Sequence, residues 1–168
     1  VVAGLRRVVD IAAGGMHTIA LTLEGHVYAW GYSDATGHDE GCGVPTRVTA
    51  GLEGVVVVRV AAGSNHCMAV TQTGQLLTWG HGEEGQLGHG RLEGEVVKVP
   101  RVVEGAGVVV GAAGGYRHSM AVRESGEVVV FGTAKNYHGT VDGCLGLGVE
   151  VVEALKPAVV PGVRAAVG

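Results

Sequence analysis

The chain has 168 residues, 46% of them apolar, and a formal net charge of −4 from 12 basic and 16 acidic side chains. It carries no basic stripe, so we expect no direct nucleic-acid binding by this segment, because such binding depends on neutralising phosphates. Each apolar run is short and interrupted, and we therefore expect no membrane span. The three cysteines lack the spacing of a zinc site or a disulfide framework, which favours a cytoplasmic or nuclear location.

One block recurs three times along the chain. Each copy opens with a glycine, reaches a histidine within four residues and places an aromatic residue 13 positions after that histidine. The copies are Gly14, His17 and Trp30; Gly63, His66 and Trp79; and Gly114, His118 and Phe131. The histidines are 49 and 52 residues apart, a period that indicates a repeat architecture.

The residue pattern within each repeat predicts four short strands. In the first repeat, a valine-rich strand near Val8 precedes two apolar runs that flank a turn at Gly25, and a last strand opens at Pro45. The same order follows in the other repeats, whose last strands open at Pro100 and Pro157. Four strands in about 50 residues predict an all-β fold made of β-propeller blades. Helix signals are weak, and Glu150 to Leu155 is the one candidate for a brief helical turn.

We expect one partial propeller domain over residues 1–168. Its repeats run over about 5–54, 55–107 and 108–160, and residues 161–168 resemble the opening of a fourth. Propellers close with about four to eight blades. About three repeats therefore predict a segment of a longer propeller, an incomplete gene product, or a piece that completes itself by association.

The second repeat carries the most specific motif. After Trp79-Gly80 it continues as Gly82-Glu83-Glu84-Gly85-Gln86-Leu87-Gly88-His89-Gly90. Together with Ala-Ala-Gly-x-x-His, this resembles the repeat of the regulator of chromosome condensation family. The third repeat keeps the ending loosely at 143–148, and the first has only Gly41-Cys42-Gly43. The resemblance implies a seven-bladed propeller in the complete protein. Kelch repeats, the rival at fold level, lack both the histidine block and the Gly-Gln-Leu-Gly ending.

The repeated positions favour structural roles. A histidine that recurs once per repeat lies on a different blade each time, so we expect His17, His66 and His118 to fasten their own blades by hydrogen bonds rather than to bind a metal or carry protons. We expect Trp30, Trp79 and Phe131 to be wedges in the core between blades. Glycines 14, 63 and 114 allow close strand approach or a positive φ.

Other motifs fail on context. Residues 80–85 match the dinucleotide-binding glycine pattern, but a glycine-rich segment follows where that site needs a helix. His38, Asp39, Glu40 and Cys42 offer metal-ligating types, although a solvated loop is the favoured interpretation. No catalytic constellation is visible. We therefore expect no enzymatic activity, no cofactor and no small-molecule substrate.

The unequal loops between repeats are the expected partner-binding regions, because blades are scaffold and loops carry function. The candidate contact residues are Asp34, His38, Asp39, Glu40, Glu83, Glu84, Lys135, Asn136, Tyr137 and His138. For any one of them, a solvated loop residue is the alternative.

Three function classes follow from the resemblance. The leading hypothesis is a protein-interaction scaffold, one part of a larger regulatory protein such as a HECT-type ubiquitin ligase. Nucleotide exchange on a Ran-like small GTPase ranks second and would require a wedge-like insertion. A UV-B photoreceptor ranks third, because that function depends on clustered tryptophans, and this chain has two, with Tyr116 where the photoreceptor pattern has tryptophan.

Overall fold

The computed structural model describes residues 4–92, 94, 96–136 and 138–166. These residues form three four-stranded antiparallel sheets, each with its strands in chain order from the inner edge to the outer edge. We call them blades 1, 2 and 3. Blade 1 contains β1 (Val8–Ala13), β2 (His17–Thr22), β3 (Val27–Gly31) and β4 (Cys42–Arg47); blade 2 contains β5 (Val57–Ala62), β6 (His66–Thr71), β7 (Leu76–Gly80) and β8 (Val97–Val102); blade 3 contains β9 (Val109–Gly114), β10 (His118–Arg123), β11 (Glu127–Thr133) and β12 (Glu153–Arg164).

Glycine and proline mark the same places in each blade. The hairpin turns between the second and third strands contain Gly25, Gly74 and Gly126, all with φ between +80° and +84°, a region that favours glycine. The outer strands β4, β8 and β12 contain Pro45, Pro100 and Pro157. An outer strand pairs on one side alone, so the missing proline N–H costs little there.

The three sheets are arranged side by side around a common axis. Strand β5 contacts β1 and β2, and β9 contacts β5 and β6. The inner strands β1, β5 and β9 therefore line the axis. Each inner strand also has a register shift at the same point, around Val9, Val58 and Val110, which is how a β-bulge appears. The predicted fold class, a partial β-propeller of four-stranded blades, is confirmed.

Apolar side chains alternate between the two faces of each sheet and build a core between neighbouring blades. One cluster joins blades 1 and 2 and includes Ile19, Ala69 and Trp79. A second joins blades 2 and 3 and includes Met68 and Phe131. A third cluster, with Val130 and Leu145, lies on the outer face of blade 3. Burial of these faces is the main favourable term for holding the blades together.

Three features differ from the sequence-based expectations. Glu150 to Leu155, the weak candidate for a brief helical turn, runs into a strand instead, because β12 begins at Glu153. A helical turn instead forms at α1 (Ser33–Thr36), where Gly37 ends it with φ 83°. Residues 161–164, expected to open a fourth repeat, continue β12 and pair back to Glu127 through Arg164. In the described ranges, no helix is long and apolar enough to cross a membrane.

Candidate partner-binding face

Strand direction places the unequal loops at one end of the blades. The connections between first and second strands and between third and fourth strands share that end, because the strands within each blade alternate in direction. We call this end the loop face; it comprises the described residues of 14–16, 32–41, 63–65, 81–96, 115–117 and 134–152. The other end, which we call the turn face, comprises 23–26, 48–56, 72–75, 103–108 and 124–126.

His66 links two blades. Its Nε2 lies 2.7 Å from the Oγ of Ser119, and that hydroxyl donates to the carbonyl of Gln86 over 2.8 Å. The serine hydroxyl has one proton, so His66 Nε2–H is the donor toward Ser119. Full burial lowers the pKa of His66 to about 3, which keeps the ring neutral. His66 thus fastens blade 2 to blade 3. The expectation from the sequence was that it would fasten its own blade.

The other two repeat histidines have different surroundings. The Nδ1 of His118 lies 3.5 Å from the Sγ of Cys144, in a loop of its own blade. His17 is buried, and neither of its ring nitrogens has a hydrogen-bond partner among the described residues. Burial lowers the pKa of His17, while the nearby backbone of His66 opposes the shift. Blade 2 places Cys67 where blade 3 places Ser119, as the second residue of its second strand.

The glycines of the repeated block are required because other atoms approach their Cα atoms too closely to leave room for a side chain. Gly14, Gly63 and Gly114 are not among the positive-φ glycines. A Cβ on Gly63 would collide with the ring of His66, and one on Gly114 would collide with the backbone of Gly63. Of the two roles the sequence left open, close approach is therefore the one that applies.

Two of the three aromatic residues are wedges between blades. Trp79 and Phe131 are fully buried, and the Nε1–H of Trp79 donates to the carbonyl of Thr36 in the preceding blade over 3.1 Å. Trp30 is half-buried and pairs with Thr18, on the face of blade 1 that points away from blade 2. This is the face on which Trp79 of blade 2 meets the preceding blade, so the wedge role of Trp30 stays a prediction.

Three candidate loop residues are held by hydrogen bonds or ion pairs, and two of these contacts join neighbouring blades. Asp39 accepts from Lys98 of the next blade over 2.8 Å, and this lysine lowers the pKa of Asp39. Glu84 pairs with Arg117 of the next blade over 2.9 Å. Asp34 accepts from the hydroxyl of Tyr32 over 2.7 Å. These carboxylates orient the loops as well as facing solvent.

Other candidates are exposed. Glu40, Lys135 and His138 are exposed, and Glu83 lies 3.8 Å from the imidazole of His81. His38 is half-buried. All lie on the loop face, together with the candidates that bridge blades.

The loop after β11 forms a small ordered hairpin. Lys135 and Val141 make an antiparallel bridge. The Oδ1 of Asn136 accepts from the backbone N–H of His138 and Thr140 over 2.9 and 3.0 Å, an Asx-type closure that fixes the turn. Tyr137, the predicted contact anchor, lies outside the described residues.

Three cavities are relevant to binding. The largest, about 570 Å³, opens on the turn face among the bulge residues Val9, Val58 and Val110. A cavity of about 310 Å³ lies beside His118 and the 135–141 hairpin. A third, of about 300 Å³, lies on the axis at the loop face, where the three glycine turns meet.

The thiols of Cys67 and Cys144 are not activated as nucleophiles. Burial raises the pKa of the Cys144 thiol to about 11 and also raises that of Cys67, so neither is a thiolate at neutral pH. No group of three or more His, Cys, Asp or Glu side chains in these ranges is placed to hold a metal ion.

The family model for the regulator of chromosome condensation (RCC1) repeat matches residues 24–70 and 73–122, together more than half of the chain. The chain belongs to the RCC1 repeat family. A second RCC1 repeat model matches residues 8–35 and 57–86. Each match to the first model joins the outer two strands of one blade to the inner two strands of the next. The RCC1 sequence unit is therefore offset by half a blade from the structural unit, so every unit covalently connects two blades.

The relatives of the chain have names that refer to different functions or locations. It is 37% identical over 142 residues to the mitochondrial RCC1 domain-containing protein RUG3 of Arabidopsis thaliana, covering 81% of this chain and 31% of that protein. It is 35% identical over 133 residues to the ultraviolet-B receptor UVR8 of the same plant, covering 77% and 30% respectively. A match to human Protein RCC2 is 41% identical over 78 residues and covers 45% and 13%.

Solved structures agree on the fold. Human WBSCR16 matches with a TM-score of 0.78 and 33% identity over 92% of this chain and 38% of that one. Prp20p of Saccharomyces cerevisiae, studied with its binding to Gsp1p and histones, matches with a TM-score of 0.77 and 23% identity over 95% and 39%. The chain spans about a third or less of the curated relatives it matches. The cytoplasmic or nuclear location stays a prediction, since RUG3 is mitochondrial.

Sequence reasoning missed the contacts between blades. Ser119, Gln86, Thr36 and Lys98 carry them, and none of these residues was predicted to contact another blade. A usable signal existed for Ser119, because it directly follows a repeat histidine. The other three could not be found from the sequence, because nothing local indicates that a loop covers the next blade.

Proposed function

We propose that this RCC1-repeat segment is a protein-interaction scaffold that binds its partner through the loop face and has no enzymatic activity of its own. The observation that carries the proposal is the division of labour within each repeat. Most of the recurring histidines, glycines and aromatics make contacts within or between blades, whereas the unequal, charged loops all lie on one face. Relatives whose propellers are described with protein partners, such as Prp20p with Gsp1p and histones, support the same class of function.

Site-specific crosslinking in the organism's own lysate tests which face binds. A photoreactive amino acid replaces Glu40 or Glu83 on the loop face, and in matched controls it replaces Glu53 or Glu104, which are exposed on the turn face. We expect the same discrete adducts from both loop-face positions, and no such adducts from the controls. Adducts from the turn face alone, or equally from both faces, would refute the proposal.

Nucleotide exchange on a Ran-like GTPase is the second candidate. The ordered hairpin at 135–141 favours it, because it projects from the loop face and is held by Asn136. Its short reach, seven residues from Lys135 to Val141, is the reason it ranks second. The test is release of fluorescent GDP from purified Gsp1p. The absence of acceleration at micromolar protein would eliminate exchange by this chain while leaving the scaffold proposal intact.

Light sensing receives less support. Trp79 is buried between blades 1 and 2, and Trp30 lies on the outer face of blade 1. The two indoles therefore occupy different surfaces and form no tryptophan cluster within the described part of the chain.

A further inference from the structure

The cavity of about 570 Å³ on the turn face is built around one valine from each blade. Each inner strand has one more residue than its partner strand at the register shift, and the extra residue is Val9, Val58 or Val110. A bulge re-aims the side chain of such a residue. The three side chains are 53%, 42% and 42% exposed. Equivalent positions of the three blades thus direct aliphatic side chains into one concave place.

Further aliphatic side chains line this cavity, and its walls are fixed. Leu23 and Val108 line it and are more than half exposed. The N–H of Val109 donates to the carbonyl of Gly74 over 2.8 Å, which ties the hairpin turn of blade 2 to the inner strand of blade 3. The volume lies in the range of ligand sites, and apolar side chains that are exposed together mark such a site. A preformed cavity of this kind loses little conformational entropy on binding.

Arg59 supplies a positive charge to this cavity, and among the described residues its side chain has no hydrogen bond or ion pair. Asp10 holds the equivalent position in blade 1, directly after the bulge, and its Oδ2 accepts from the N–H of Val60 in blade 2 over 3.0 Å. The equivalent of Val60 in blade 3 is Ala112, but Arg59 cannot accept a hydrogen bond. A ligand carboxylate beside Arg59 would therefore take the place between blades 2 and 3 that the Asp10 carboxylate occupies between blades 1 and 2.

Glu124 is the other charged residue of the cavity. It is exposed, and its carboxylate forms no ion pair or hydrogen bond with Arg59 or with any other described residue. A ligand that matches the lining therefore needs an anion for Arg59, N–H donors for Glu124 and an aliphatic body for the valines. The last residues of a polypeptide have all three. A fatty acid lacks the N–H donors, and an internal peptide segment lacks a main-chain carboxylate.

We propose that the turn-face cavity binds the free C-terminus of a partner polypeptide. The terminal carboxylate lies on Arg59, aliphatic side chains of the last residues pack among the three bulge valines, and main-chain N–H groups are directed at Glu124. The charge-assisted bonds to Arg59 fix the orientation of the peptide, and the apolar contacts supply affinity. This site is separate from the loop face and does not depend on the function proposed above. Glu53 and Glu104 do not line the cavity, so its occupancy leaves the crosslinking controls silent.

The test uses the full 168-residue chain and a hexapeptide with fluorescein on its N-terminus and a free C-terminus of leucine followed by two valines. Fluorescence anisotropy gives its Kd, and the matched probe is the same peptide with an amidated C-terminus. We expect amidation to raise Kd at least about tenfold, roughly 1.4 kcal/mol, because the charge on the terminal group is lost. Octanoate should displace the labelled peptide at least about tenfold less effectively than the unlabelled peptide does, since it has no N–H donors.

Two pairs of variants separate the charge from the apolar contact. Arg59→Gln should bind the acid and the amidated peptide with nearly the same Kd, whereas Arg47→Gln, on the outer strand β4, should preserve the difference. Val58→Thr keeps the shape of the side chain and should raise the Kd of both peptides about threefold or more, while Val99→Thr, on the outer strand β8, should raise neither. Thermal melts of every variant show whether the fold is intact.

Equal Kd values for the acid and the amidated peptide in the wild-type chain, an unchanged Kd in Arg59→Gln, or equal losses from Val58→Thr and Val99→Thr would overturn the inference. Displacement by octanoate as effective as that by the unlabelled peptide would overturn it too, because the cavity would then take an acyl chain. The absence of saturable binding up to about 1 mM peptide, a free energy of about −4 kcal/mol, would do the same. None of these outcomes bears on the loop-face crosslinks, which test the scaffold proposal separately.

Discussion

The interface between blades 1 and 2 and the interface between blades 2 and 3 both pack an aromatic side chain against a neighbouring sheet, but different groups form the buried hydrogen bond. Each has an aromatic wedge paired in register with the residue that follows a histidine, Trp79 with Cys67 in blade 2 and Phe131 with Ser119 in blade 3. At the first interface the indole N–H supplies the buried hydrogen bond to the preceding blade. At the second, phenylalanine cannot, and the Ser119 hydroxyl bonds His66 and Gln86 instead.

The difference shows that two neighbouring interfaces of this chain meet the same requirement with different residues. Each interface contains one fully buried polar bridge that fixes how the two sheets approach, and either member of the register pair can provide it. A buried polar group without a partner is costly. The Ser–Phe pair gives His66 Nε2 a partner, whereas the Cys–Trp pair leaves both ring nitrogens of His17 without one among the described residues.

Removing the wedges should have the largest effect. Trp79→Ala and Phe131→Ala are each expected to lower the free energy of unfolding by about 3–5 kcal/mol, because a fully buried aromatic leaves a cavity that the sheets cannot close. Urea unfolding followed by circular dichroism measures this. Trp30→Ala, at the half-buried position on the outer face of blade 1, is the matched control and should cost clearly less. An equal cost for Trp30 would contradict our placement of this residue.

Acid should weaken the interface between blades 2 and 3. The pKa of His66 is about 3 in the folded chain, against its ordinary value of 6.5, so the folded state binds a proton less readily than the unfolded state. This contribution to stability is complete above pH 6.5 and is lost as the pH falls toward 3. Linkage gives a loss of about 2 kcal/mol from His66 between pH 7 and pH 5.

Urea midpoints at the two pH values measure that loss, and His66→Gln should flatten the difference. Should this variant not fold, NMR of the wild-type chain provides the second check. The ring resonances of His66 should stay at their neutral positions down to pH 5, and titration near pH 6.5 would show that the ring is not enclosed.

Loss of the serine bridge should cost less than loss of a wedge. Ser119→Ala leaves the buried His66 Nε2–H and the Gln86 carbonyl without their partner, and we expect about 1–3 kcal/mol of destabilisation. Cys67→Ala is the control at the equivalent position of blade 2, where the thiol packs in the apolar core. Its smaller cost should reflect lost volume alone. If the two changes cost the same, the hydrogen bond contributes nothing beyond packing.

The smallest effect is expected to be a gain. Cys67→Ser places a hydroxyl at the position that bonds the histidine in the other interface, and the buried His17 would acquire a partner. We expect stabilisation of about 0.5–1.5 kcal/mol, read as a rise in the urea midpoint with an unchanged slope. Ser119→Cys, the reciprocal change, should destabilise. A loss of stability in Cys67→Ser would mean that the two interfaces do not share the geometry of their register pairs.

Much of the fold could be predicted, and less of the candidate site. The 13-residue spacing from His66 to Trp79 predicted a hairpin. The structure contains this hairpin, and in it His66 pairs with Gly80, the residue after the aromatic. The β12 strand was mispredicted at its start, because Glu150 to Leu155 contains good helix formers whose tertiary pairing with β11 overrides local propensity. The short helix at Ser33–Thr36 was missed, since a four-residue turn has almost no periodic signal.

Sequence by itself determined the repeat, the four strands of each blade and the turn glycines, because strand alternation and positive-φ turns depend on residues that are close together in the sequence. Only the tertiary structure decided what the repeated residues touch. Asp39, Glu84 and His66 each contact the following blade, at sequence separations that no local pattern encodes. It also decided that the unequal loops share one face and that the glycine turns of the three blades meet at the axis, because those positions depend on how one twisted sheet packs on the next.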